Sequence, residues 1–99
     1  MSDKVLGVGH ILPLEVLDKC IGRPVWVHLK KDREFYGVLQ GFDEFLNIVV
    51  ADCKEYLHET GKARVFISKN DIMLLNGAHV CLVVPGENTE LTKATNEKV

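Results

Sequence analysis

The hydrophobic positions of this 99-residue chain change their period once, from a helical spacing to the alternation of strands. Leu14, Leu17 and Ile21 recur at i, i+3 and i+7, which predicts one apolar stripe on a helix of two to three turns. Pro13 suits the first turn of a helix, where its missing N–H costs nothing, and Gly22 is a typical stop. Because a helix this short is unstable alone, we expect its stripe to pack on the rest of the chain.

Alternating positions after the helix predict five short strands separated by polar or glycine-bearing turns. Val25, Val27 and Leu29 predict a buried face on the first strand, and Trp26 and His28 lie on its other face. The remaining strands are predicted at residues 34–41, 47–55, 64–75 and 80–84.

The order of these elements predicts a mostly β fold, in which a short helix precedes a strongly bent five-stranded antiparallel sheet that forms a small open barrel. Gly37 and Gly41, inside the second predicted strand, indicate strong bending or close backbone approach. We expect one domain at residues 12–86, a flexible lead at 1–11 and a disordered polar tail at 87–99.

The fifth predicted strand is apolar on both faces over residues 80–84. An edge strand that faces water is usually blunted by charge or proline, so this run should be covered. Another subunit would cover it, and a central position within the chain's own sheet is the alternative.

Composition and charge exclude several classes of protein. The formal net charge of −2 argues against nonspecific coating of duplex phosphates and leaves room for a small site that reads bases. No apolar run approaches the ~20 residues of a membrane span, and the N-terminus lacks a secretory pattern. Cys20, Cys53 and Cys81 are far apart, which predicts reduced thiols in cytoplasm or nucleus. Cys53 and Cys81 lie in apolar runs, so we expect small buried hydrophobes there.

No catalytic or cofactor-binding pattern stands out. His79 and Cys81 would share one face of a strand, but two ligands do not make a zinc site. Asp43 and Glu44 are neighbours and would face apart, and no phosphate-binding glycine loop is present. Residues 54–59 carry mixed charge and are predicted to form exposed strand. We therefore expect no metal, no cofactor and no enzyme activity.

Two polar loops carry the most specific chemistry. Phe45 lies at the centre of the first loop with no evident core to join, and a base stacked on such a ring gains ~1–3 kcal/mol. Asn47 both donates and accepts, which matches the N3–H and carbonyl of uracil, and Asp43 could hold its amide. Asn76 and Gly77 could close the far side. Plain hairpin loops built from common turn residues are the alternative interpretation.

These residues resemble the two sequence motifs of the Sm-like (Lsm) protein family. Residues 72–77, followed by an apolar strand, are similar to the second motif, and residues 12–15 are similar to the start of the family's helix. The resemblance covers about residues 10–86. The first motif maps onto Gly37, Gly41, Phe42, Asp43, Leu46 and Asn47.

The resemblance implies a bent five-stranded barrel within a seven-membered ring, most similar to the heteroheptameric Lsm rings of eukaryotes. It implies that the fourth strand of one subunit pairs with the fifth strand of its neighbour. One uridine per subunit would stack on Phe45, with Asn47 bonding its edge, Asp43 orienting Asn47, and Asn76 and Gly77 at the far side. The implied interface residues are Val80, Leu82, Val83, Val84, Phe66 and Ile67.

The resemblance also implies a function. The ring would bind the oligouridine 3′ end of U6 spliceosomal RNA in the nucleus, and a related cytoplasmic ring would bind mRNA 3′ ends and promote decapping-dependent decay. Splicing and decapping factors are the implied partners. Most family members carry arginine where Asn76 stands, so we expect a weaker pocket here. Two alternatives stay open: a ring spacer with little RNA contact, and a free-standing barrel that binds protein peptides.

Overall fold

The computed structural model describes residues 13–86, a short helix followed by five strands. Helix α1 spans Leu14–Asp18, and a 3-10 helix at Gly77–His79 joins the last two strands. The predicted lead at 1–11, Leu12 and the predicted tail at 87–99 lie outside the described residues. The strands are β1 Pro24–Leu29, β2 Arg33–Phe42, β3 Ile48–Leu57, β4 Val65–Leu75 and β5 Val80–Pro85.

The strands form one antiparallel sheet in the order β4-β3-β2-β1-β5. The predicted fold class is therefore confirmed. The fifth strand pairs only with β1 among the described residues, so a central position in the chain's own sheet is the wrong alternative. Among residues 13–86, β4 and β5 are the two edge strands of this sheet. Within residues 13–86, no helix is long and apolar enough to cross a membrane.

The sheet bends where β2 and β3 change register. One shift lies between Tyr36 and Val38, and the other lies between Leu39 and Gly41. A Cβ atom on Gly37 would overlap the Val50 side chain, so the predicted close approach is confirmed there. A Cβ atom built on Gly41 would meet nothing within 4 Å outside its chain neighbours, so no close approach explains this glycine, which lies at the second register shift.

The first register shift also changes which residues of β3 face the core. Ile48 and Val50 are buried before the shift, whereas Cys53 and Glu55 are buried after it. Asp52, at the shift, adopts a positive φ of 49°. The buried face therefore moves from even to odd positions, as a β-bulge requires.

Two predictions are wrong because register shifts interrupt the alternation of residues along a strand. Residues 54–59 are not uniformly exposed strand, because Glu55 is buried and pairs with Arg33, and Ser68 Oγ donates to it at 3.0 Å. Cys53 is buried as predicted, but Cys81 is exposed. Cys81 is the extra residue at a register shift between β5 and β1, so it leaves the alternation of its neighbours.

Helix α1 is shorter than predicted, and only part of its stripe is buried. Leu17 is fully buried, but Leu14 and Ile21 are 39% and 44% exposed. The backbone N–H groups of Cys20 and Ile21 bond to carbonyls three residues earlier, as in a 3-10 turn. This tighter winding rotates Ile21 out of line with Leu14 and brings Cys20 to the core instead.

The main core lies on one face of the sheet, beneath α1. Trp26 is also buried, on the opposite face of β1, so that strand has two buried faces where one was predicted. Its ring centroid lies 4.7 Å from that of Tyr36 and 5.8 Å from that of Tyr56. The core residues with no exposure at all are Leu17, Val25, Val27, Leu39, Ile48, Val50 and Cys53.

Candidate functional site

The loop between β2 and β3 is organised by the Asp43 carboxylate. Its Oδ1 accepts the backbone N–H groups of Phe45 and Asn47 at 2.9 and 3.0 Å. Its Oδ2 accepts the side-chain amide of Asn47 at 3.0 Å. The side-chain bond to Asn47, then the backbone bonds, lower the pKa of Asp43. Asp43 is therefore ionised at neutral pH and holds Asn47 in one orientation, as the sequence predicted.

The same loop sends two adjacent apolar side chains in opposite directions. Phe45 is 72% exposed, whereas Leu46 is 7% exposed and packs into the core. Leu46 achieves this with a positive φ of 64°, which is uncommon for a non-glycine residue. The buried Leu46 anchors the loop and leaves the Phe45 ring in solvent.

The loop after β4 lies directly against the first loop. The backbone N–H of Gly77 donates to Asn47 Oδ1 at 2.8 Å. A Cβ atom on Gly77 would overlap the carbonyl oxygen of Phe45 and lie 2.7 Å from the carbonyl carbon of Leu46. Only glycine permits this approach, so the structure joins two loops about thirty residues apart in sequence.

The amide of Asn47 retains part of its hydrogen-bonding capacity. One N–H is used by Asp43 and one lone pair of the oxygen by Gly77. A primary amide has two N–H donors and two acceptor positions, so one of each is left. Asn47 is half-buried, beside the exposed Phe45 ring. This arrangement suits a flat, neutral ring that offers one acceptor and one donor on its edge.

Asn76 lies at the rim and is partly occupied. Its Oδ1 accepts the backbone N–H of Ala78 at 2.8 Å and caps the 3-10 helix at Gly77–His79. The exposed amide nitrogen is left for a ligand. Only the residue type could have suggested this capping role in the sequence, since asparagine is a preferred cap.

The two loops carry little positive charge. Asp43 and Glu44 are acidic, and residues 43–47 and 76–79 contain neither lysine nor arginine. The site is therefore suited to a neutral group rather than to a phosphate. In the part of the chain that the structure describes, no three His, Cys, Asp or Glu side chains are grouped so that they could hold a metal ion.

The predicted interface residues lie on the two open edges of the sheet. Phe66 and Ile67 on β4 are 55% and 42% exposed. Val80, Leu82 and Val84 on β5 are half-buried. Val83 differs, because its side chain is buried in the chain's own core and only its backbone reaches the edge. The sequence analysis did not predict the other exposed apolar residues of β4, although the strand pattern of residues 64–75 could have suggested them. These are Val65, Ile72 and Leu74.

The LSM domain family model matches residues 15–85. The LSM complex subunit lsm5 of Schizosaccharomyces pombe is 49% identical over 80 residues, which cover 81% of this chain and 95% of the relative. The probable U6 snRNA-associated Sm-like protein LSm5 of Dictyostelium discoideum is 45% identical over 85 residues, 86% of each chain. Residues 12–15, 18–22 and 72–77 also resemble the fifth subunit of the eukaryotic ring, in agreement with these names.

Two solved structures have the same fold. The Pyrococcus abyssii Sm protein in complex with a uridine heptamer is 32% identical, with a TM-score of 0.63, and the match covers 74% of this chain and 96% of that chain. A heptameric archaeal Sm protein is 28% identical with a TM-score of 0.59, and the match covers 72% and 96%.

Proposed function

This chain belongs to the LSM domain family, and we propose that it is an RNA-binding subunit of a seven-membered Lsm ring. It binds single-stranded uridine-rich RNA and has no catalytic role. The proposal is supported by relatives named as the fifth Lsm subunit and by similar archaeal proteins, one solved as a heptamer and another with bound uridine.

The joined loops carry this proposal. An exposed Phe45 ring lies two residues from an Asn47 amide that Asp43 and Gly77 hold from two sides. A uracil base stacks on Phe45 and completes the hydrogen bonds of Asn47, because its edge offers the N3–H and a carbonyl. Asn76 contributes at most an amide N–H at the rim.

The open edges of the sheet supply the ring contacts. Edge strands β4 and β5 each leave backbone groups unpaired by the described residues, and β4 exposes apolar side chains. Strand addition between neighbouring subunits satisfies both edges at once. Phe66 and Ile67 of one subunit then pack near Val80, Leu82 and Val84 of the next, with Val83 contributing its backbone.

The finer assignment follows from the family. The nuclear ring binds the oligouridine 3′ end of U6 snRNA during pre-mRNA splicing, in keeping with the name of the Dictyostelium relative. The related cytoplasmic ring binds mRNA 3′ ends during decapping-dependent decay, and this role rests on the family resemblance alone. Splicing factors in the nucleus and decapping factors in the cytoplasm are the proposed partners.

The direct test is oligouridine binding to a reconstituted ring that carries Phe45→Ala or Asn47→Ala in this subunit. We expect each variant to lower affinity in fluorescence anisotropy, Phe45→Ala by about fivefold or more, since stacking contributes ~1–3 kcal/mol. Thr60→Ala, in the exposed turn after β3, is the control and should bind like wild type. Native mass measurement confirms that every ring is intact.

Unchanged affinity in both variants would contradict direct contact and favour the second candidate, a structural spacer. Two observations support that candidate: the loops contain neither lysine nor arginine, and the side-chain oxygen of Asn76 already accepts the backbone N–H of Ala78. A free-standing barrel that binds peptides is a third possibility, and a purified chain that stays monomeric alone and with ring partners would favour it.

A further inference from the structure

A second cluster of polar and charged side chains surrounds Glu34 and shares no residue with the two loops. Glu34, at the start of β2, is 6% exposed, and both of its carboxylate oxygens contact polar side chains. Its Oε1 accepts from Arg64 Nε at 2.7 Å. Its Oε2 lies 2.9 Å from His58 Nδ1 and 3.4 Å from His28 Nδ1. We call these four residues the Glu34 cluster.

Arg64 connects the segment between β3 and β4 to the strands β1 and β2. It immediately precedes β4, and its side chain is only 7% exposed. Its guanidinium lies 4.8 Å from the centroid of the Trp26 ring and 6.0 Å from that of Tyr56. The cluster therefore fastens the segment between β3 and β4 onto β1 and β2. The backbone N–H of His58 adds a further hydrogen bond, since it donates to the backbone carbonyl of Asp32 at 2.8 Å.

The charges of the cluster balance only while its histidines are neutral. One carboxylate then faces one guanidinium in a poorly solvated place. His58 Nδ1 lies 2.9 Å from Glu34 Oε2 and 3.3 Å from Arg64 Nη2. A further positive charge in this cluster would therefore stand against Arg64, with one carboxylate to offset both.

His28 faces the same carboxylate from β1. Burial is the main cause that lowers its pKa, and the charges of Arg64 and His58 lower it further, whereas Glu34 opposes the shift. Tyr56, on β3, lies on the same face of the sheet as Trp26 and Arg64. On β5, the residue paired with His28 is Leu82, which is uncharged. A lowered pKa means that the folded chain binds fewer protons than the unfolded chain. The contribution of His28 to the free energy of unfolding is therefore fully present above pH 6.5, the ordinary pKa of histidine, and is lost as the pH falls below that value.

We infer that the Glu34 cluster is an acid-sensitive clasp, which holds the β3–β4 segment and the start of β4 on the sheet and loosens when its histidines are protonated. The start of β4 carries Val65, Phe66 and Ile67, the exposed apolar part of an open edge. Acidification therefore loosens an edge that a partner strand would pair with.

Hydrogen exchange of the full chain tests the clasp. Exchange is followed by mass spectrometry at about pH 7.5 and about pH 5.5, which bracket histidine titration, with times scaled to the intrinsic rates. We expect a several-fold loss of protection in residues 58–67 at the lower pH and no change in residues 48–53. The His28→Gln, His58→Gln double variant should lose this response, and His79→Gln, outside the cluster, should keep it.

Three results would overturn the inference: unchanged protection of residues 58–67, an equal loss across the whole sheet, or an acid response that persists in the double variant. If the double variant does not fold, nuclear magnetic resonance titration of wild type decides. The inference then requires His28 to titrate below 6.5 together with shifted resonances at residues 58–67, and titration at or above 6.5 contradicts it.

Discussion

Gly77 is the residue on which contact between the two loops depends. Its N–H holds the Asn47 oxygen at 2.8 Å, and its missing side chain leaves room for the carbonyl of Phe45. The obstructing atoms are backbone atoms of the first loop, which cannot rotate away as a flexible side chain would. The orientation of Asn47 and the spacing of the loops therefore share one cause.

We predict that Gly77→Ala separates the loops. The overlap with the first loop and the loss of the bond to Asn47 should lower the free energy of unfolding by about 1–3 kcal/mol. The affinity of the ring for oligouridine should fall as well. Urea unfolding measures the change in stability, and fluorescence anisotropy measures the change in affinity. Gly41→Ala is the matched control, because its Cβ atom would meet nothing within 4 Å. Equal stability of the two variants would contradict this account.

The sequence predicted the members of this site better than their contacts. The exposure of Phe45 follows from its place at the centre of a loop with no evident core to join, and the spacing of Asp43 and Asn47 predicts their pairing. The bond from Gly77 to Asn47 depends on how β3 and β4 pair, which local pattern does not determine. The predicted exposure of Glu55 and burial of Cys81 are wrong because β-bulges shift the alternation of buried and exposed positions. The residue types at these bulges do not indicate them.

At the scale of elements, the pairing of β3 with β4 contains one unfavourable contact between like charges. Lys54 and Lys69 lie directly opposite each other, and both are exposed. Like charges at such a position repel, since the Cβ atoms of directly paired residues are close. The rest of the pairing, with apolar partners on both faces, offsets this repulsion.

We predict that Lys69→Glu stabilises the chain by about 0.2–1 kcal/mol, because it replaces a repulsive cross-strand pair with an attractive one. Urea unfolding at low salt measures the gain, which should shrink at high salt as the charges are screened. Lys62→Glu makes the same charge change in the β3–β4 segment, where Lys62 pairs with Glu59 at 3.3 Å, and should give no gain. An equal gain in both variants would indicate an effect of net charge alone.

At the scale of the whole molecule, the proposed RNA-binding site and the proposed ring contacts use different parts of the surface. The joined loops form one compact polar site, and the open edges of β4 and β5 lie at the two ends of the strand order. The sequence predicted five strands and an uncovered β5. It could not show that β5 is an edge strand, because strand order depends on contacts distant in sequence.

The edges lead to a prediction about assembly. Ile67 is 42% exposed on the β4 edge, so Ile67→Lys should leave the fold intact and place a charge where a neighbour must pack. Native mass measurement of a mixture with the other ring subunits should show this variant excluded from the seven-membered ring.

Val16→Lys is the matched control, since Val16 is a β-branched residue of 40% exposure on α1, which is part of neither edge strand. It should enter the ring like wild type. Incorporation of Ile67→Lys at the wild-type level would show that the start of β4 is not an interface, and the ring contact would then have to use other residues of that edge. Exclusion of both variants would instead point to a general effect of the added charge, so only the contrast between them assigns the contact to β4.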